Sequence, residues 1–282
     1  MRLIWIVIFI FIGFRGLSQS KSELPFIEHL INKGYYKEAI FLLDRDSLKF
    51  NKLQLDSVNY YNGWANYSLK NLERSTQSFL KVNAESSFYA KSRFFAGYNQ
   101  AYLGKYTNAR KTLDQLKFDD EMKHSLVVFE LGGIEMLEGK WEKAKAQLGA
   151  INPDIAFLNQ QIMALQQIGK EIETRRKKSA LLAGIMSGII PGSGKIYAGK
   201  TGEGIASMLA TTGFGLITWE NYRKLGAGNL KTLFFGGIFL ASYVSNIYGS
   251  VISVKIAEQN YADATHNQIL FQLHIPLRNF FE

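Results

Sequence analysis

Catalysis and metal binding need particular side chains at particular spacings, so the four histidines, the carboxylates and one glycine-rich segment come first. His29, His124, His266 and His274 each stand alone, without a second ligand at metal-binding spacing. The chain has no cysteine. That excludes disulfides, thiolate metal sites, a thiol nucleophile and a lipid-modified cysteine anchor. The carboxylates between residues 24 and 175 sit near Lys and Arg, the pattern of a solvated, ion-paired surface. Gly192-Ser193-Gly194-Lys195 invites a phosphate-loop reading. That loop needs a glycine five positions before its last glycine and a Ser or Thr after the lysine. Those positions are Ile189 and Ile196 here, and no strand pattern precedes them. No catalytic, cofactor-binding or metal-binding residue is therefore assigned, and no enzymatic activity or cofactor is expected.

The residues that remain are arranged for packing and for membranes. The net charge is +9 over 282 residues. Much of the excess lies beside apolar runs, in Arg175, Arg176, Lys177, Lys178, Lys195, Lys200, Arg223, Lys224 and Lys231. Basic residues collect in this way at the ends of membrane helices. A lipid bilayer is the expected partner of these segments, and nucleic acid is not. The apolar runs are 179–190, 205–219 and 232–252. Only the third has by itself the roughly 20 residues a spanning helix requires. The second reaches that length by extending into its flanks, whereas the first stops at Pro191, because the residue before proline avoids the helical region. Two spans or three follow, depending on whether the first is a re-entrant hairpin. Asp, Glu and His are missing inside these runs. Intramembrane charge marks ion and proton paths, so a transporter or intramembrane protease is not expected.

Arg2 precedes an apolar core, Leu3 to Ile12, and Gly16 and Ser18 supply small residues at alternate positions. This is the form of a secretory signal over residues 1–18, cleaved after Ser18. Arg15 leaves an uncleaved anchor as the alternative. Either way, the following segment is exported.

Between residues 24 and 175 one pattern recurs. Gly34-Tyr35-Tyr36 leads to Ala39 and Leu43, Gly104-Lys105-Tyr106 to Ala109 and Leu113, and Gly139-Lys140-Trp141 to Ala144 and Leu148. A weaker copy runs from Lys70 through Leu72 to Ser75 and Phe79. The small residues Ala39, Ser75, Ala109 and Ala144 are 36, 34 and 35 positions apart by their numbering. Gly63, Gly97 and Gly132 each lie seven residues before the turn position. Such spacing predicts two helices joined by a tight turn. The turn glycine takes a left-handed backbone, the aromatic two positions later wedges between the helices, and the small residues allow close approach.

Period and positions together resemble the tetratricopeptide repeat, with a period of about 34 residues. The resemblance covers about 150 residues. It implies helix pairs stacked into a superhelix whose concave face grips a peptide or helix of a partner protein. The stretch Asp154 to Lys170 reads as a closing helix, with Ile155, Leu158, Ile162, Leu165 and Ile168 on one stripe. Farther on, Pro191, Gly192, Gly194, Tyr197 and Gly199 resemble the proline-glycine-x-glycine-x-x-tyrosine-x-glycine motif of small bacterial membrane domains built as helical hairpins. The resemblance implies a broken helix or re-entrant turn in a membrane domain over residues 178–257, leaving 258–282 as a C-terminal tail.

Small residues also form stripes: Gly184, Gly188 and Gly192, and Gly237, Ala241, Ser245 and Gly249. In lipid, close backbone contact drives helix association, so these stripes can pack on each other or on another subunit of a homo-oligomer. The whole reads as an all-α chain: a tetratricopeptide-like solenoid followed by a transmembrane hairpin or bundle. It would lie in a bacterial inner membrane with its repeats in the periplasm, although three spans would set the basic flanks against the positive-inside tendency. The expected function is a membrane-anchored protein–protein adaptor in the cell envelope. The alternative is an accessory factor for membrane-protein or envelope assembly, acting through the membrane domain.

Overall fold

The structure, a computed structural model, describes residues 23–45 and 50–281. The segment read as an export signal lies outside them. The described residues are all-helical, with no strand among them. In chain order the helices are α1 (Leu24–Asn32), α2 (Tyr36–Arg45), α3 (Leu55–Ser68), α4 (Leu72–Phe79), α5 (Tyr89–Tyr102), α6 (Tyr106–Asp114), α7 (Glu121–Leu137), α8 (Trp141–Gly149) and α9 (Ala156–Thr174). Then come α10 (Ala180–Ile189), α11 (Ser193–Tyr197), α12 (Thr201–Leu225) and α13 (Leu230–Phe281). They form two compact units. Of the described residues, one holds 23–45, 50–165 and 270–281, and the other holds 166–269.

In the first unit each helix from α1 to α7 packs on the next, and α1 also meets α3 and α5 meets α7. The turn inside each pair is the same object four times. Gly34, Gly104 and Gly139 all have left-handed φ, between +72° and +80°. The fourth turn puts Lys70 there at φ 64°. In each turn this residue donates three positions back, as Gly104 N–H does to the Ala101 carbonyl. The next residue donates five back, as Lys105 N–H does to the Gln100 carbonyl. That paired arrangement satisfies the orphan carbonyls at a helix end. The small residues Ala39, Ser75, Ala109 and Ala144 are fully buried. The glycines of the first helices face the second helices: a Cβ on Gly63 would meet the Phe79 ring at 2.5 Å, one on Gly97 the Leu113 side chain at 2.9 Å, and one on Gly132 Leu148 at 3.0 Å. Tyr36, Tyr106 and Trp141 open the second helices.

Three boundaries differ from expectation. The closing helix runs over Ala156–Thr174, with Leu158 and Leu165 fully buried. Residues 258–281 are not a separate tail but the continuation of α13. Their apolar residues Leu270, Leu273 and Leu277 recur at helical spacing, and all three are buried. Finally, α13 is the one helix among the described residues that is long and apolar enough to cross a membrane. α12 has the length, but its ends carry Glu203, Glu220, Arg223 and Lys224, and α10 is apolar but only 10 residues long.

Candidate functional site

The first helices of the pairs carry the aromatic residues in register. Counting from Gly63, Gly97 and Gly132, the position two before is Tyr61, Phe95 and Glu130, and the position one after is Trp64, Tyr98 and Gly133. An aromatic layer results between α3 and α5, and α7 puts Glu130 and Gly133 at the same positions. Tyr60 stacks on Phe88 with ring centroids 4.2 Å apart, and Trp64 and Tyr67 both meet Phe95 edge-on at 5.0 Å. Lys91 holds its ammonium 4.4 Å above the Trp64 ring. Such contacts add a cation–π attraction to the burial of the rings.

This face is covered by the chain's own residues 270–281. Leu273 sits over Gly133, where a Cβ would come within 2.2 Å of it. Tyr67 Oη is hydrogen-bonded to His274 Nε2, and the His274 ring lies 5.2 Å from that of Tyr98. Phe281 packs on Phe94 at 5.4 Å, and Phe280 packs on Phe157 at 5.8 Å. Lys91 Nζ donates to the Phe281 carbonyl at 3.0 Å. The partners come from α3, α5, α7 and α9, that is, from first helices and the closing helix.

Burial shifts the titratable groups of this face. Glu130 is 1% exposed, and its Oε1 has no hydrogen-bond partner. Desolvation pushes its carboxyl well above the ordinary carboxylate range. Burial first, and then the nearby Tyr67 and Glu130, raise the Tyr98 hydroxyl. Tyr61 is raised to about 12 by burial and by Glu28. The ionised groups gather elsewhere. Arg110 of α6 bonds Glu135 at 3.1 Å and also Glu138, and Lys143 of α8 reaches Glu135 at 2.7 Å. Hydrogen bonds from Lys140 and Arg110 hold the Glu138 carboxyl below its usual range. This network ties one pair to the next.

In the second unit the motif residues converge on a broken helix. Ile190 is extended (φ −124°, ψ 109°) before Pro191, which ends α10. Gly192 has φ +87°, and a Cβ there would fall 2.0 Å from the Gly204 carbonyl oxygen. A Cβ on Gly194 would fall 2.0 Å from the Ala183 oxygen. Gly199, at φ +94°, closes α11 with the same paired hydrogen bonds as the repeat turns, Gly199 N–H to the Ile196 carbonyl and Lys200 N–H to the Lys195 carbonyl. The Tyr197 hydroxyl accepts from the Ser179 N–H at 3.1 Å. The two glycine amides are consumed internally, Gly192 N–H by Asn246 Oδ1 at 3.0 Å and Gly194 N–H by Ser187 Oγ at 2.9 Å. Lys195 donates to Ser207 Oγ at 2.6 Å. Amides and lysine that would cradle a phosphate are thus spent on the chain itself.

Two sets of residues escaped the reading of the sequence. Asn246 and Ser250 hold the turn from α13, Ser250 through a 2.7 Å contact with Ser187. Their signal was polar residues at four-residue spacing inside an apolar run. Residues 270–281 were the other, signalled by the leucine stripe. The small-residue stripes are split: a Cβ on Gly184 would meet Val251 at 3.0 Å and one on Gly249 the Lys195 side chain at 3.3 Å, whereas Gly237 faces open space. His29 and His124 are exposed, and among the described residues no three His, Cys, Asp or Glu side chains are grouped to hold a metal. No protein-family model, curated protein or solved structure matches the chain.

Proposed function

We propose that the chain is a membrane-anchored protein-interaction adaptor: a tetratricopeptide-like array that binds a helix of another protein, held in a bacterial inner membrane with the array in the periplasm. The observation that carries the binding half is the covered face. An aromatic surface built by the first helices already holds an apolar helical segment, Leu270–Phe281, through Leu273, His274 and Phe281. A surface able to seat one amphipathic helix has the chemistry to seat another. The four repeated left-handed turns and the buried small residues support the tetratricopeptide reading of the scaffold.

The anchoring half is supported by an inverted polarity in the second unit. Its interior holds Ser187, Thr211, Asn246, Ser250 and Ser253. Its surface carries Leu181, Ile189, Leu209, Leu216, Leu230, Phe234, Leu240 and Val244, all exposed. An apolar exterior of this extent is an interaction surface, and lipid fits it, because small and polar residues glue helices together where water is absent. Basic residues at 175–178 and at 223–231 flank the apolar lengths.

The test is a photo-crosslinking amino acid placed in the full chain in living cells. At Tyr102, exposed on the first-helix face next to Tyr98, an adaptor gives adducts of defined mass. At Lys111, exposed on α6, it gives none. Equal adducts at both positions, or none at Tyr102, would overturn the adaptor.

A further inference from the structure

We infer that residues 270–281 are a built-in competitor. The first-helix face is a helix-binding site that the chain closes on itself, and a partner is an amphipathic helix that must displace this segment. The inference rests on the adaptor reading and adds the identity of the ligand class and the state of the site.

The resident segment states what the site accepts. Leu270, Leu273, Leu277 and Phe281 fall at offsets of 3, 7 and 11 from the first, one stripe of a helix. Leu270, Leu273 and Leu277 are buried, the last two completely. Leu273 occupies the space that only a glycine at position 133 leaves open. Phe281 enters the aromatic layer between Phe94 and Phe95. A partner therefore presents Leu or a similar side chain at the second position and an aromatic residue at the last. Between them a polar side chain replaces His274 against Tyr67 and Tyr98. The resident stripe carries no charged side chain, and Glu130 on the site is buried at 1% exposure, so a partner's stripe is uncharged as well.

The segment also carries a break in its own helix. Pro276 sits inside the helix and removes the hydrogen bond that its N–H would give to the Gln272 carbonyl. The last turn is thereby less strongly tied to the rest of α13. A ligand tethered in the same chain acts at a raised effective concentration, so a free helix of similar affinity competes poorly until the segment is released. Apparent affinity falls by the fraction of chains in which the face is open.

Two measurements on the full chain in detergent micelles test this. The probe is a fluorescein-labelled synthetic peptide of residues 264–281. Leu273→Asp releases the segment while leaving the face intact, and the peptide should bind this variant at least about tenfold more tightly than wild type. Equal binding to both chains, or no binding to a helical Leu273→Asp chain, would overturn the inference. The second measurement covers the case in which that variant does not fold. Leu277→Cys introduces the only thiol at a fully buried position. Saturating peptide should speed its modification by a thiol reagent at least about threefold, as expected if the open fraction rises. An unchanged rate would overturn the inference. Failure of the adaptor reading would look different: both peptide results would hold, while the crosslinker at Tyr102 in the Leu273→Asp chain would capture no protein in cells.

Discussion

Lys70 holds the left-handed turn position that glycine holds in the other three pairs. An L-residue there costs about 1 kcal/mol against glycine, and its ammonium over the Tyr67 ring returns only part of this. Lys70→Gly should therefore stabilise the chain by about 0.5–1 kcal/mol, read as a higher thermal midpoint by circular dichroism. Gly192→Ala should do the opposite. It meets both a left-handed φ and a carbonyl oxygen 2.0 Å away, so the loss should reach about 3 kcal/mol or more. Glu130 gives a pH dependence whose sign follows from linkage. Its folded-state affinity for a proton is raised by burial. The stability it contributes is full below the ordinary glutamate value and is lost as pH rises from there through the folded-state value. Glu130→Gln cannot titrate, so its thermal midpoint relative to wild type should climb as pH is raised from 4 to 8. A constant gap between the two would contradict a carboxyl whose affinity for a proton is raised by burial.

At the scale of elements, the repeat turns and their packing partners were legible in the sequence because they are local. A left-handed turn residue, glycine in three copies and Lys70 in the other, and a small residue five positions on leave the same spacing in every copy. The break at Pro191 was legible for the same reason. What holds the break was not, since Asn246 lies 54 residues away. A polar residue inside an apolar run shows that something is bonded, not what. Asn246→Ala should leave the buried Gly192 N–H without its acceptor, at a cost of about 1–3 kcal/mol. The effect should appear as an earlier unfolding transition in micelles, larger than that of Ser250→Ala, because Ser187 Oγ still accepts from Gly194 in that variant. The end of α13 was misread as a tail for a related reason. Its leucine stripe announces a buried helix face, but only the fold places Gly133 beneath Leu273.

At the scale of the molecule, two units show opposite polarity. The repeats bury Phe79, Phe94, Phe95 and Phe129 and keep their ion pairs outward or at 16–57% exposure against the one buried Glu135. The second unit buries serines and an asparagine and exposes leucine and isoleucine. Water rewards the first arrangement and penalises the second. That contrast, more than the length of any helix, supports an anchored array.

The most direct test is accessibility of single cysteines in intact cells, in a chain that has none of its own. Ser87→Cys places an exposed thiol on the repeats, and Ala227→Cys places one between α12 and α13. The chain should remain in the membrane pellet after alkaline carbonate washing. An impermeant thiol reagent should label position 87 without lysis, and position 227 then reports which side of the bilayer that connection occupies. Release of the chain by carbonate, or labelling of position 87 only after lysis, would contradict an anchored and exported adaptor.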